Sequence, residues 1–377
     1  MESQVIRGLG STIQVAALLD RLKVSRLLLV RDDPAYGLSG AEAALAKCWQ
    51  GREVATFAGF QLNPKLEDIE RGVALARRLR PEVVIAVGGG SAIDIAKVIA
   101  ACGSNEGAPA QYISGEETLN EAGPPLIAIP TTAGTGSEAT HFAVAYIGAT
   151  KYSLAHPGLL PQYAILDAEL TLSLPPVITA ATGLDALCQA IESMWAVGGT
   201  EDSRQFAEQS FELAWQHLPI AVKSPTPEGR QAMLDASHLA GKAINIGKTT
   251  APHAISYALT TRYGTPHGMA VALTLPAVLR HNHEIDEASC TDPRGVAQVR
   301  ASVARILTAL GCDSAEQAQA ALEQFIAALD CPTRLSQIGA EEADLPEIAA
   351  AVNVERLGNN PRRISQAELV AILREVL

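Results

Sequence analysis

An aspartate, a glutamine and two histidines have the residue types to close around one divalent ion. Asp185 and Gln189 stand four apart in the helical run GLDALCQAIE, so both project from one helix face. His253 and His267 follow in PHAISY and TPHG. A carboxylate, an amide oxygen and two imidazoles suit Fe(II) or Zn(II), which act as Lewis acids on an alcohol or carbonyl oxygen. On spacing alone, the same side chains also read as satisfied polar groups of a helical core.

A second chemistry sits in the front half. Residues 83–87, VVIAV, read as a buried strand rich in β-branched residues. Gly88, Gly89 and Gly90 follow at once. Ser91 stands where a helix N-cap would, with Asp94 three positions on, the spacing of a capping box. Strand, glycine turn and helix N-terminus make an anion site, and the expected anion is a dinucleotide pyrophosphate. The run lacks the GxGxxG spacing, so a tight turn that binds nothing is the plainer alternative. Residues 25–30 form another buried strand, ending at Arg31-Asp32-Asp33-Pro34. Asp32 is placed to accept from an adenosine ribose, which favours NAD. Arg31 beside it is placed to hold the 2′-phosphate of NADP, and the tetrapeptide also reads as plain turn chemistry. After the buried strand 126–130 comes TTAGTGSEAT, in which Thr131, Thr132 and Ser137 suit a phosphate, a ribose or a carboxamide. Lys151 is placed to face an anionic cofactor or substrate.

Positioning these residues takes two kinds of element. An apolar-spaced helix lies around 12–22, and 54–57 is a short strand. Asn63 and Pro64 open a helix through Arg78, with Asn at the cap and Pro at the first position. Residues 112–123 read as a polar loop. Strands and helices alternate to about residue 130, which predicts a parallel α/β sheet. Segments 144–147, 151–154 and 163–167 read as a β excursion. From Val177 the grammar changes to helical runs at 178–196, 203–222, 226–246, 249–262, 268–283, 294–310, 314–329, 342–351 and 365–377. The expected fold is a parallel-sheet α/β domain over 1–176 followed by an all-helical domain over 177–377.

The 377 residues are 48% hydrophobic with only 4% aromatic, so the core is aliphatic and alanine-rich. A net charge of −12 argues against a nucleic-acid partner. Six scattered cysteines without a CxxC pair fit a reducing compartment and no cysteine-based zinc site. No run of 18 apolar residues occurs and the opening stretch has no apolar signal region, so a cytoplasmic protein without membrane contact is expected. A homodimer is the expected assembly.

GGGSAIDIAK, PTTAGTGSEAT, GLDALCQAIE and HAISYALTTRYGTPHG, in this order and spacing, resemble the iron-containing (group III) alcohol dehydrogenase family over nearly the whole chain. The resemblance implies the dehydroquinate synthase-like architecture, with a Rossmann-like dinucleotide-binding domain over 1–176 and a metal- and substrate-binding helical domain over 177–377, NAD or NADP on the glycine loop, and hydride transfer between a small alcohol and its aldehyde at a metal-bound oxygen. It places the pyrophosphate at Gly89, Gly90 and Ser91, the nicotinamide side at Thr131, Thr132 and Ser137, and Lys151 near the cofactor. Two positions depart from the pattern. Gln189 replaces a histidine ligand, and a neutral amide oxygen binds more weakly. Tyr257 replaces a histidine proton relay, and a phenol is a far weaker base near neutral pH. The C-terminal NVERLGNNPR, with KTTAPHAISYALTTRYGTPHG, resembles the phosphonoacetaldehyde reductase branch. A dianionic phosphonate needs cations, for which Lys248, Arg262, Arg356 and Arg362 are the candidates. The competing readings are an NAD-using lyase or synthase of the dehydroquinate synthase kind, a metal-free maleylacetate reductase-like enzyme, and a dinucleotide-binding protein without turnover.

Overall fold

Apolar runs with few polar interruptions form the middle of a parallel sheet. Strands β1 (Gln4–Arg7), β2 (Arg26–Arg31), β3 (Glu53–Phe57), β4 (Val83–Gly88), β5 (Leu126–Pro130) and β8 (Tyr163–Leu166) lie in the order β1-β8-β5-β4-β2-β3. The computed structural model describes residues 3–148, 150–353 and 357–377. Every residue of β4 and β5 is buried, as two covered faces require. Helices α4 (Leu66–Leu79) and α5 (Gly90–Gly103) pack with Phe57, Val84 and Ala128 in one apolar cluster. Helix α1 (Gln14–Arg21) joins Leu29, Ile85 and Ile127 in a second. The hairpin β6 (Phe142–Ile147) and β7 (Thr150–Ala155) is a separate antiparallel pair.

The chain forms two compact units. The first takes Met1–Leu174 together with Thr226–Gly241, and the second takes Pro175–Pro225 and Lys242–Leu377. The sequence reading had kept 226–241 with the helical half.

The second unit is built on α7 (Pro176–Trp195), which is buried on nearly every side from Thr179 onward. Around it run α8 (Glu201–Lys223), the end of α9 (Pro227–Gly247), α10 (Ala251–Tyr263), α11 (His267–His283), α12 (Val296–Leu310), α13 (Ala315–Ala328), α14 (Leu345–Ala350) and α15 (Gln366–Glu375). These bounds match the expected helical runs closely. Gly268 lets α11 touch α7, because a Cβ there would stand 1.9 Å from the Ala181 carbonyl oxygen. Asn282 and Asn360, both fully buried, exchange side-chain amide bonds of 3.2 and 2.8 Å. No described helix is long and apolar enough to cross a membrane.

Several local expectations are corrected. The helix after the glycines begins two residues early, with Gly89 at the cap, so Ser91 is not the N-cap and Asp94 closes no capping box. Asn63 lies in the left-handed region at φ 62°, and α4 starts later behind Lys65. Asp32-Asp33-Pro34 is not a plain turn: Asp32 caps the short helix α2 (Asp33–Leu38) and accepts from the Ala35 N–H at 3.4 Å. Part of the expected loop at 112–123 is helical, in α6 (Pro109–Ser114). Tyr163–Leu166 belongs to the main sheet, between β1 and β5, and not to the excursion.

Candidate active site

In the helical unit, α7, α10 and α11 bring the predicted metal ligands together. Pro252 near the start of α10 places His253 in its first turn. Gly264, at φ 67°, ends that helix, and α11 begins at His267 after Pro266. Asp185 Oδ1 then lies 3.2 Å from His253 Nε2 and 3.8 Å from His267 Nε2. One ligand atom from each of the three falls within 4.8 Å of the others. Asp185 and His253 are buried, while His267 is partly open. Gln189 is buried one turn along α7, where its side chain hydrogen-bonds Asp185, yet its Oε1 has no hydrogen-bond partner. A buried carbonyl oxygen without a donor costs free energy that a cation would offset. These residues therefore fit a divalent ion held by two oxygens and two imidazoles. Gln189→His should tighten Zn(II) by about tenfold or more in a chelator competition; unchanged affinity would remove Gln189 from the ligand set.

One residue of this centre escaped the sequence reading. Glu192 is fully buried on α7, two turns past Asp185. Its carboxylate accepts from the Thr250 N–H at 2.5 Å, the Thr250 hydroxyl at 2.8 Å and His253 Nδ1. Thr250 Oγ1 in turn accepts from the Trp195 indole at 2.9 Å. With Nδ1 held as a donor by Glu192, His253 turns Nε2 toward Asp185, and loss of the Nε2 proton would leave the tautomer a metal ligand needs. Burial alone would depress His253, but Glu192 and Asp185 outweigh it and hold the imidazole up at about 10. Burial likewise raises Asp185, and the hydrogen bond from His253 and the two imidazoles overturn that, leaving its carboxyl below the ordinary range. Glu192→Gln would face His253 with an amide donor and drive the ring proton to Nε2. Metal affinity should fall about 10- to 100-fold, read by competition with a chromophoric chelator.

Tyr257 stacks on His267, with centroids 5.6 Å apart and planes at 13°. Ser256 Oγ lies 3.4 Å from His267 Nδ1. The expected substrate cations have different surroundings. Arg262 is held by Asp344 and Glu347. Arg362 donates to the His281 carbonyl at 2.5 Å and pairs with Glu284 at 3.5 Å. Lys248 is exposed at φ 58°, in the turn before α10. Asn359 clamps that turn by donating to the carbonyls of Gly247 and Thr249 at 2.8 and 2.9 Å. Arg356 lies outside the described residues.

The predicted dinucleotide residues occupy the carboxyl ends of three neighbouring strands of the other unit. Asp32 follows β2, Gly88 to Ser91 follow β4, and Thr131 to Ser137 follow β5. Backbone bonds tie the three turns: Asp32 N–H to Val87 at 3.1 Å, and Thr131 N–H to Gly88 at 3.0 Å. A Cβ on Gly88 would stand 2.6 Å from Ala92 Cβ and 3.0 Å from Asp32 Cβ, and one on Gly90 would stand 2.7 Å from Thr135 Cγ2. Gly89 offers no side chain to cap α5, so the positive end of a 14-residue helix opens beside a floor without side chains. These residues fit a pyrophosphate. Arg31 pairs with Asp33 at 3.1 Å and lies over the Tyr36 ring. Asp94 accepts from the Val144 N–H at 2.9 Å and from the Ser137 hydroxyl. Its carboxyl is raised by burial against the pull of Lys97 and, more weakly, Lys151. Asp94 therefore anchors the Ser137 loop, with Lys151 nearby on β7.

Comparison with known proteins gives the same picture. Residues 2–168 match the family described as iron-containing alcohol dehydrogenase, and residues 179–377 match the Fe-containing alcohol dehydrogenase family C-terminal region. The chain is 33% identical to long-chain-alcohol dehydrogenase 1 of Geobacillus thermodenitrificans, covering 97% of this chain and 93% of that one. It is 37% identical to phosphonoacetaldehyde reductase of Streptomyces viridochromogenes over 80% of this chain and 78% of that one. It superposes on sulfoacetaldehyde reductase from Bifidobacterium kashiwanohense in complex with NAD+ with a TM-score of 0.88, at 29% identity, covering 99% of this chain and 96% of that one.

Proposed function

The chain belongs to the iron-containing alcohol dehydrogenase family, and from that premise we propose that it reduces a short aldehyde bearing a phosphonate or similar anionic group to the corresponding primary alcohol. The activity class, NAD(P)-dependent interconversion of alcohol and aldehyde with a divalent metal, comes with the family. The observation that carries the site is the Asp185, His253 and His267 cluster with the orphaned Gln189 oxygen beside it. The finer reading of the substrate draws support from two similar proteins, named for phosphonoacetaldehyde and sulfoacetaldehyde, which are both anionic two-carbon aldehydes.

When bound, the dinucleotide supplies the hydride and the metal supplies Lewis acidity at the carbonyl oxygen. Asp185, Gln189, His253 and His267 would hold the ion, with Glu192 fixing His253. Asp32, Gly88, Gly89, Gly90 and Ser91 would hold the adenosine and pyrophosphate, and Thr131, Thr132 and Ser137 the nicotinamide side. The Tyr257 hydroxyl gives its proton to the product alkoxide and regains one from solvent, a task a phenol performs better as acid than as base. Arg262 and Arg362 are already engaged by carboxylates and a carbonyl, so among the described candidates Lys248 is the cation we assign to the anionic headgroup.

An absorbance assay with NADH or NADPH across phosphonoacetaldehyde, sulfoacetaldehyde and propionaldehyde tests this. At least tenfold higher kcat/KM for the anionic substrates is expected, about 1.4 kcal/mol of discrimination. Equal values would overturn the substrate assignment. Substrate turnover without stoichiometric NADH or NADPH consumption would favour the lyase reading. Gln189 gives a metal-free mechanism one specific foothold, and full activity in protein whose metal content is nil would establish it.

A further inference from the structure

The Ser137 loop is fixed in the α/β unit by attachments that the sequence did not announce. Lys97, buried on α5, donates to Thr140 Oγ1 and to the Phe142 carbonyl, both at 2.8 Å. Asp94 takes the Ser137 hydroxyl. The third attachment comes from α9, the segment Thr226–Gly241 that belongs to this unit. There the loop and the helix meet backbone to backbone. A Cβ on Gly136 would stand 2.5 Å from Gly241 Cα and 2.6 Å from the Ser237 carbonyl oxygen, and one on Gly241 would stand 2.4 Å from the Gly136 carbonyl oxygen. One turn back along the helix, His238 Nδ1 reaches Glu138 Oε1 at 3.1 Å. Both side chains are buried, Glu138 at 2% and His238 at 8% exposure.

A glutamate has little reason to be buried in a serine- and glycine-rich loop unless a partner waits for it. Asp235, one turn earlier on the same helix, turns to Arg7 at 3.6 Å; Lys97 acts on Glu138 through its charge, and His238 meets it with a hydrogen bond. We infer that His238 is a positioning residue for the dinucleotide: through Glu138 it holds the loop at Thr131, Thr132 and Ser137 in the shape that accepts the nicotinamide end. The inference rests on the assignment of that loop to the cofactor. His238 itself touches no reacting atom. Its effect is on the fraction of molecules whose loop is already competent, and apparent affinity falls with that fraction.

Titration of the purified, metal-loaded enzyme with NADH, followed by fluorescence, tests it. His238→Ala should weaken NADH binding about tenfold, because a buried carboxyl loses its partner. Metal content and kcat at saturating NADH should stay within about twofold of the parent, a split that general structural damage does not produce. His238→Asn, whose amide N–H occupies nearly the place of Nδ1, should recover most of the affinity. A folded His238→Ala protein that binds NADH as the parent does would overturn the proposal, as would an Asn variant no better than Ala. Should His238→Ala not fold, Glu138→Met removes the same contact at similar size, and parental affinity in that variant also overturns it. Thr132→Val in the same titration separates the two levels. If it weakens binding while His238→Ala does not, only the positioning role fails; if neither does, the assignment of the loop fails with it.

Discussion

Asp185→Ala abolishes metal binding and lowers kcat/KM for aldehyde reduction by about 10³ or more. The carboxylate is the only charged ligand atom of the cluster, and it stands between two imidazole Nε2 atoms at 3.2 and 3.8 Å. Without it, an ion would be left with two neutral nitrogens and an amide oxygen. Lewis-acid stabilisation of developing charge contributes several kcal/mol, and each 1.36 kcal/mol is about tenfold in rate. Asp185→Asn separates charge from shape, since it keeps the side chain's volume in a fully packed helix. Metal analysis by mass spectrometry and steady-state kinetics on both variants check the result. Stoichiometric metal in either variant would remove Asp185 from the ligand set and would leave a core hydrogen bond to His253 and a looser polar contact with His267.

Gly89→Val raises the KM for NADH or NADPH by about 100-fold with little loss of fold stability. The choice among the three glycines decides how clean the experiment is. Gly88 sits at φ 152° with Ala92 Cβ and Asp32 Cβ inside contact distance, so any substitution there strains the backbone and confounds binding with stability. Gly90 would drive its Cβ into Thr135. Gly89 has an ordinary φ of −78°, and its Cβ would meet Thr132 Oγ1 at 3.3 Å, a contact that a hydroxyl can relieve. Its side chain would nonetheless rise from the mouth of α5, where a pyrophosphate needs bare backbone. A loss of about 2.7 kcal/mol of dinucleotide affinity corresponds to that factor of 100. Fluorescence titration and thermal unfolding, run side by side, measure the two quantities. An unchanged KM would place the pyrophosphate elsewhere.

Much of this was legible in the residues, and the failures have physical reasons. The helical half reads clearly because long amphipathic or apolar runs broken by Pro and Gly have few alternatives; α7, α8 and α11 begin and end within two residues of expectation. Strands β4 and β5 announce themselves as short apolar runs without a polar residue. β1 does not, because four residues at a sheet edge with mostly exposed side chains carry no periodic signal. Tyr163–Leu166 reads as a strand, yet nothing local says which sheet it joins, since pairing is decided across 160 residues of chain by β1 on one side and β5 on the other. Asp32 shows a different limit: turns and helix caps use the same residues for the same hydrogen bonds, so Asp-Asp-Pro is ambiguous until the next turn is seen. The clustered Asp185, His253 and His267 were picked out by residue type. Glu192 and Glu138 were missed because a glutamate in an apolar helix or a serine-rich loop looks like any surface acid until its burial is known. The signal lay in Glu192's place, seven residues beyond Asp185 on the same face of an otherwise uncharged stretch.

The assignment of Thr226–Gly241 to the α/β unit has a consequence for how the polypeptide is made. Arg230 from this segment reaches back to the carbonyls of Thr171 and Leu174 at 2.7 and 3.2 Å, and His238 supplies the partner of Glu138. On the ribosome, the α/β unit therefore emerges unfinished. Its last helix leaves the exit tunnel only after Pro175–Pro225, which belong to the other unit. Neither gene half, divided at the paired prolines, encodes a whole folding unit, and the nascent chain must keep the Glu138 loop waiting for a helix that has yet to be synthesised.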